Sequence, residues 1–293
     1  MNAFTIRDLE NLSGIKAHTI RIWEQRYAFL KPERTSTNIR YYSNDELKKL
    51  LNISLLNRNG FKISHIDRMS EMEMRENIRS LSHTDAQQER IVNDLIHMMV
   101  DLRLNDFEQI IDNHILARGI ERSLSQIIFP FLERIGILWQ TCHIIPAQEH
   151  LVTNIIRQKL IVGIESIVSH VKVNRSVLLF LPESEFHELG LLFAYFLLKS
   201  RGTDVIYLGA SVPLDDVEYV VRLKKPDYVY THLSVLPPKF NFDRFLAQVS
   251  RKFEGTNVII SGPVTHFYEK KLPPGVSFKQ SCHEVFEFAA SLH

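Results

Sequence analysis

Apolar residues along this chain follow three successive rhythms. From Thr5 to about Arg68 they recur at helical spacing in short bursts. Thr5-Ile6-Arg7-Asp8 has the form of a capping box, which predicts a helix to about Ser13, broken at Gly14. A second helix is expected from Lys16 to Tyr27, with Ile20, Trp23 and Tyr27 on an inward face. His18, Arg21 and Gln25 share the same spacing on the opposite side, free to enter a groove. Ala28 to Tyr42, with Pro32, several Thr, Ser and Asn and three basic residues, reads as a β-hairpin wing. Ser43-Asn44-Asp45-Glu46 caps a helix to about Asn59-Gly60, and another begins near Ile63.

From Glu71 to Asp85 the chain turns polar, which predicts a linker or a weakly packed helix. The second rhythm is four helical patterns with short connections, Gln87–Leu102, Asp106–Arg118, Ile120–Cys142 and Pro146–Val168, as an up-down four-helix bundle requires. Pro130 should kink the third. The last rhythm alternates apolar runs with helices. Strands are expected at Val177–Leu181, Val205–Leu208, Tyr228–Leu233, Val258–Ile260 and Val276–Phe278. Helices fit at Leu189–Ser200, Leu214–Lys224, Phe242–Phe253 and after Cys282. Right-handed crossovers then give a five-stranded doubly wound parallel sheet of the Rossmann or flavodoxin kind. The expected organisation is multidomain, α then α/β: a winged helix-turn-helix at 1–72, a linker at 73–85, a bundle at 86–170 and an α/β domain at 171–293.

Composition adds a charge asymmetry to this picture. The 293 residues carry a formal net charge of +1. Residues 1–70, however, hold twelve Lys and Arg against seven acids, an excess of about five positive charges. That excess lies on the module with the outward polar stripe and the wing, a combination suited to duplex DNA. No apolar stretch approaches the roughly 18 residues that span a bilayer, and Met1-Asn2-Ala3-Phe4 lacks a signal-peptide profile, so a cytoplasmic protein without a membrane partner is expected. Cys142 and Cys282 form no CxxC and read as incidental.

Candidate chemistry lies at one strand end. Glu185-Phe186-His187-Glu188-Leu189-Gly190 follows the run Val177–Leu181, and so lies at the carboxyl edge of the sheet, where open α/β folds bind ligands. A carboxylate two residues from a histidine can accept from Nδ1, fixing the tautomer and raising the basicity of Nε2 towards a metal. Gly190 lets the next helix begin close to a bulky planar group. A hydrogen-bonded loop histidine is the plainer alternative. Trp139, then nine residues, then Glu149-His150 form a second constellation, and core packing of Trp139 with a solvated helix start is its alternative. His232, beside Ser234 in the strand-end loop, could touch a ligand, though buried hydrogen bonding is the plainer role. His97, His114 and His143 have no zinc-site spacing, and neither GxGxxG nor a Walker loop is present.

The residues of the first module resemble a known family. Thr5-Ile6-Arg7, Thr19 through Tyr27, Pro32-Glu33-Arg34-Thr35 and Asn38-Ile39-Arg40-Tyr41-Tyr42 closely resemble the winged-helix domain of MerR-family transcription regulators, over roughly the first 70 residues. The resemblance implies that His18 and Arg21 face base edges or nearby phosphates. It implies that Arg26, Tyr27, Arg34, Thr35, Asn38 and Arg40 hold the DNA backbone, with Tyr41 and Tyr42 either joining them or packing the wing.

The carboxy-terminal half resembles the cobalamin-binding Asp-x-His-x-x-Gly pattern, with Glu185 in the aspartate's place. The likeness implies His187 as lower axial cobalt ligand. Gly190 would be the pattern's glycine, and the likeness also implies a slot for the displaced nucleotide tail, lined by Ser234-Val235-Leu236 and by Gly262, with Pro263 standing where a second glycine belongs. Trp139, Glu149 and His150 resemble a signature of the light-dependent, adenosylcobalamin-binding repressors of carotenoid genes, a branch of the MerR regulators. That likeness implies Trp139 over the adenosyl group, Glu149 on the adenosine, and His150 as upper cobalt ligand after photolysis. The chain is thus expected to be a DNA-binding regulator and photoreceptor, not an enzyme. Its implied ligand is adenosylcobalamin, and its implied partners are operator DNA, further copies of itself in a dimer or tetramer, and an antirepressor protein. The alternative is a MerR-type regulator whose degenerate cobalamin-like domain binds no corrinoid and senses a protein or another small ligand.

Overall fold

The structure, a computed structural model, describes residues 4–292 apart from 35–37, 82–83, 141–144, 169–171 and 237–239, and describes 137–140 by backbone only. Among these residues no helix is long and apolar enough to cross a membrane. The chain forms two compact units, Met1–Ile155 and Ile156–His293.

In the first unit, α1 (Ile6–Ser13) opens with the predicted capping box, Thr5 and Asp8 satisfying each other's backbone, and ends at Gly14 with φ +70. α2 (Ala17–Arg26) follows, burying Ile20 and Trp23. The wing is the antiparallel pair β1 (Glu33–Arg34) and β2 (Arg40–Tyr41). Tyr42 then bridges back to Phe4, both fully buried. α3 (Asn44–Arg58) starts from a second capping box, Ser43 with Glu46, and α4 spans Ile63–Ile66. The polar stretch that follows is helical: α5 (Glu71–Ser80) has its own Ser70–Glu73 box but buries only Ile78, as its sparse apolar residues dictate.

The bundle patterns appear as α6 (Thr84–Val100), α7 (Leu104–Arg118), then α8 (Ile120–Ser123) and α9 (Phe129–Gln140), and finally α10 (Pro146–Glu165). Between α8 and α9 the chain takes a π-helical turn, Leu124–Ile128, closed by the Phe129 N–H donating to Leu124 O. Pro130 accounts for it. A proline in an α-helix clashes with the carbonyl four residues back, and the wider turn relieves that contact one turn before the proline. Phe107 and Phe131, both fully buried, meet at 5.3 Å between ring centres in the core.

The second unit holds β3 (Ser176–Pro182), α11 (Leu189–Ser200), β4 (Asp204–Val212), α12 (Leu214–Lys224), β5 (Tyr228–His232), α13 (Phe242–Lys252), β6 (Asn257–Ser261), β7 (Val276–Lys279) and α14 (Cys282–Ala290). The five strands are parallel in the order β4-β3-β5-β6-β7, the doubly wound arrangement expected. β3 is central and its apolar run is buried throughout. The order reverses at β3, so the crevice at its carboxyl end is the topological switch point of the sheet.

Candidate functional site

On the first unit the outward stripe of α2 is as anticipated: His18, Arg21 and Gln25 are exposed, as is Arg26 at the last turn. Tyr27 is half-buried and stacks on Phe29, ring centres 5.7 Å apart. In the wing, exposed Arg34 donates to Asn38 Oδ1 at 2.6 Å, and Asn38 holds φ +65 to make the turn. Thr35 lies outside the described residues.

Arg40 and the two tyrosines are more committed to the wing than its pattern suggested. Arg40 Nε lies 3.2 Å from Glu24 Oε2, and Tyr42 donates to the other oxygen of the same carboxylate. Burial, then Glu24, pushes the Tyr42 hydroxyl well above its ordinary value. Tyr41 donates across the hairpin to Glu33. Glu24 is therefore the residue that ties wing to helix. The i, i+3 reading of α2 left it unassigned because its partners lie outside the helix.

On the second unit, Glu185-Phe186-His187 follows β3 on a loop fixed from both sides. Glu185 N donates to Pro182 O at 3.0 Å, closing the turn after the strand. Ser184 N donates to Ser211 Oγ at 3.1 Å and Ser211 N to Glu185 O at 3.0 Å, which clamps the loop to β4. Glu185 is buried, and its Oε1 accepts from His187 Nδ1 at 2.6 Å and from His187 N at 2.8 Å. Burial pushes the Glu185 carboxyl up, but the hydrogen bonds from His187 outweigh it and hold the group below its ordinary range. The imidazole is 58% exposed. The ring is thus oriented by a buried carboxylate and presented at the strand's carboxyl edge.

Glu188, next in sequence, anchors the same loop elsewhere. Its Oε2 accepts from Arg157 Nε at 3.1 Å and Nη2 at 3.0 Å, and its Oε1 accepts from Tyr207 at 2.9 Å. Arg157 lies on α10, two turns beyond His150. Sequence reasoning passed over Glu188 and Arg157, whose only signal was a charged residue beside the histidine.

Gly190 and Gly262 are needed for close approach. A Cβ on Gly190 would fall within the His232 ring, and one on Gly262, with φ +103, would strike the Leu233 carbonyl. Ser234 is half-buried, Leu236 packs against the sheet core, and Pro263 begins the short 3-10 turn Pro263–Phe267. At the start of α10, exposed His150 has Nδ1 3.3 Å from Glu149 Oε2. Trp139 lies near the end of α9, but its side chain is outside the described residues. Among the described residues no cluster of three or more His, Cys, Asp or Glu is set to hold a metal.

A winged, basic helix-turn-helix head, a helical bundle and a doubly wound sheet with a carboxylate-oriented histidine thus follow one another along the chain. Residues 4–73 match the family described as MerR HTH family regulatory protein, and residues 88–162 match the B12 binding domain. The chain is 28% identical over 239 residues to the HTH-type transcriptional repressor CarH of Myxococcus xanthus, covering 77% of each. It is 26% identical over 226 residues to the repressor CarA of the same organism, covering 76% of this chain and 74% of that one. The monomethylamine corrinoid protein of Methanosarcina barkeri superposes with a TM-score of 0.51 at 13% identity, over 70% of this chain and all of that one, which shows the shared fold. These matches support a B12-responsive DNA-binding regulator, with a MerR-type head over residues 4–73 and a B12 binding domain over residues 88–162.

Proposed function

We propose that this regulator is a repressor whose hold on operator DNA is set by adenosylcobalamin bound in its carboxy-terminal half. The Glu185–His187 pair carries the reading: a buried, ionised carboxylate on Nδ1 selects the tautomer in which Nε2 offers its lone pair, the arrangement that metal-ligating histidines use. His187 would be the lower ligand to cobalt, Glu185 its orienting partner, and Glu188 with Arg157 the brace that keeps the loop in place. Trp139, Glu149 and His150 would be the first unit's own residues for holding the cofactor. Bound, the cofactor would supply a cobalt–carbon bond that visible light breaks.

On the DNA side, His18 and Arg21 would meet base edges or phosphates, Gln25 would extend that stripe, and Arg26, Tyr27, Arg34, Thr35, Asn38 and Arg40 would grip the backbone. Tyr41 would brace the wing tip. Dimers or tetramers would present several heads to repeated half-sites, raising apparent affinity by effective concentration, and an antirepressor protein could compete for the same surfaces.

The test is to incubate the purified protein with adenosylcobalamin in darkness, remove free ligand, and record absorption spectrum and molecular mass before and after green illumination. A retained corrinoid spectrum and a mass that both change with light are expected. A colourless protein of constant mass would instead select a regulator that binds no corrinoid.

A further inference from the structure

The crevice beside His187 is already filled by the protein. His232, at the carboxyl end of β5, lays its ring over Gly190 and leaves no room there even for a methyl group. The ring is not a loose side chain. His232 and Ser261 are paired across β5 and β6, with Nδ1 2.8 Å from Ser261 Oγ, and that hydroxyl also bonds buried Tyr230 at 2.6 Å. Burial pushes the His232 imidazole down to about 4, so it is neutral at physiological pH and fits this polar but enclosed position.

The neighbouring gap is closed as well. Leu233 N donates to Ser261 O at 2.9 Å, and Gly262 lies against the Leu233 carbonyl. Thr265 N and Oγ1 both return to Gly262 O, at 3.0 and 2.8 Å, and seal the turn that Pro263 begins. Leu236 is drawn into the core. Leu233 and the turn after β6 are therefore zipped to each other, and His232 at the end of β5 is pressed against the start of α11.

A cobalamin whose lower face is taken by a histidine must place its displaced benzimidazole nucleotide somewhere on that same side, in the protein or in water. We infer that His232 excludes the nucleotide from the sheet, so that this site recognises the corrin ring and its adenosyl face and is indifferent to the nucleotide tail. The inference rests on the corrinoid reading given above. It makes His232 a specificity-determining residue and tail-less corrinoids competent ligands.

Equilibrium dialysis of the full chain in darkness against adenosylcobalamin and adenosylcobinamide, which carries the same ring and adenosyl group without the nucleotide, tests it. Adenosylcobinamide should bind as tightly as adenosylcobalamin or tighter, within about three-fold. His232→Ala should open the crevice, tightening adenosylcobalamin by about ten-fold or more while leaving adenosylcobinamide unchanged. Adenosylcobalamin binding more than about 30-fold tighter than adenosylcobinamide to the unaltered protein would overturn the inference but keep the corrinoid reading. Equal affinities that His232→Ala leaves equal would remove His232 as the barrier. Binding of neither ligand would sink the corrinoid reading itself and the inference with it.

Discussion

Glu185 shows how one buried carboxylate can set a site's chemistry. Its hydrogen bonds from His187 hold its folded-state value below the ordinary 4.5, so the folded form binds fewer protons than the unfolded one as that range is crossed. The stabilisation is fully present above about pH 4.5 and is lost as pH falls through the lower folded value. Glu185→Gln should therefore cost about 1–2 kcal/mol at neutral pH in urea unfolding, with the gap to the unaltered protein closing below pH 4.5. A constant gap across pH would mean the carboxylate's charge is not what holds the ring. The pairing was legible in the sequence because acid and histidine are two residues apart on one loop. The His232–Gly190 contact was not, because it joins the end of one strand to the start of a distant helix. Gly190 had an evident physical use in admitting a planar group, and nothing local announced that the group would be the protein's own imidazole.

At the level of elements, periodicity was an effective guide wherever burial is one-sided or complete. α11 and α12 span Leu189–Ser200 and Leu214–Lys224 as read from the apolar pattern, and the five apolar runs became the five parallel strands. β4 extends further than its run, to Val212, because its last residues, with Gly209 and Ser211 at positive φ, turn to clamp the His187 loop. Local pattern was silent on how the head joins the bundle within the first unit. There Glu89 on α6 lies 2.9 Å from Arg58 at the end of α3 and 3.3 Å from Arg134 on α9. Arg58 also caps the Ser13 carbonyl in the turn between α1 and α2, and Arg134 donates to buried Asn93 at 2.6 Å. One carboxylate thus serves two guanidinium groups that brace the DNA-reading turn and the bundle. Glu89→Ala should lower stability by roughly 1–2 kcal/mol and speed hydrogen exchange at Ile15 and Ala17. Unchanged exchange in that turn would show that the cluster does not brace it.

Over the whole molecule, each unit contains a histidine that folding keeps neutral, His97 in the first and His232 in the second. Burial pushes His97 and His232 down to about 4, from an ordinary 6.5, and Lys48 adds to the effect at His97. Between those values the unfolded chain binds a proton that the folded chain refuses. Stability should therefore be greatest above pH 6.5 and fall as the pH is lowered towards 4, by at most about 3 kcal/mol for each histidine. Unfolding midpoints measured from pH 7.5 to 4.5 should show that decline, and His97→Gln should flatten part of it; a flat profile would place both imidazoles in contact with water. The histidines, the basic head and the ordered His187 loop belong to one account, in which ligand state in the carboxy-terminal half governs DNA occupancy by the amino-terminal head through differential affinity. The most direct measurement is operator affinity of the full chain at fixed salt, in darkness with and without adenosylcobalamin and again after green illumination, with His187→Ala and Arg21→Ala alongside. The account predicts tight binding only in the dark with ligand, loss on illumination, no ligand response in His187→Ala, and weak binding in every condition for Arg21→Ala. Operator affinity that ignores both ligand and light, while Arg21→Ala still weakens it, would contradict the control by corrinoid and leave only the DNA reader standing.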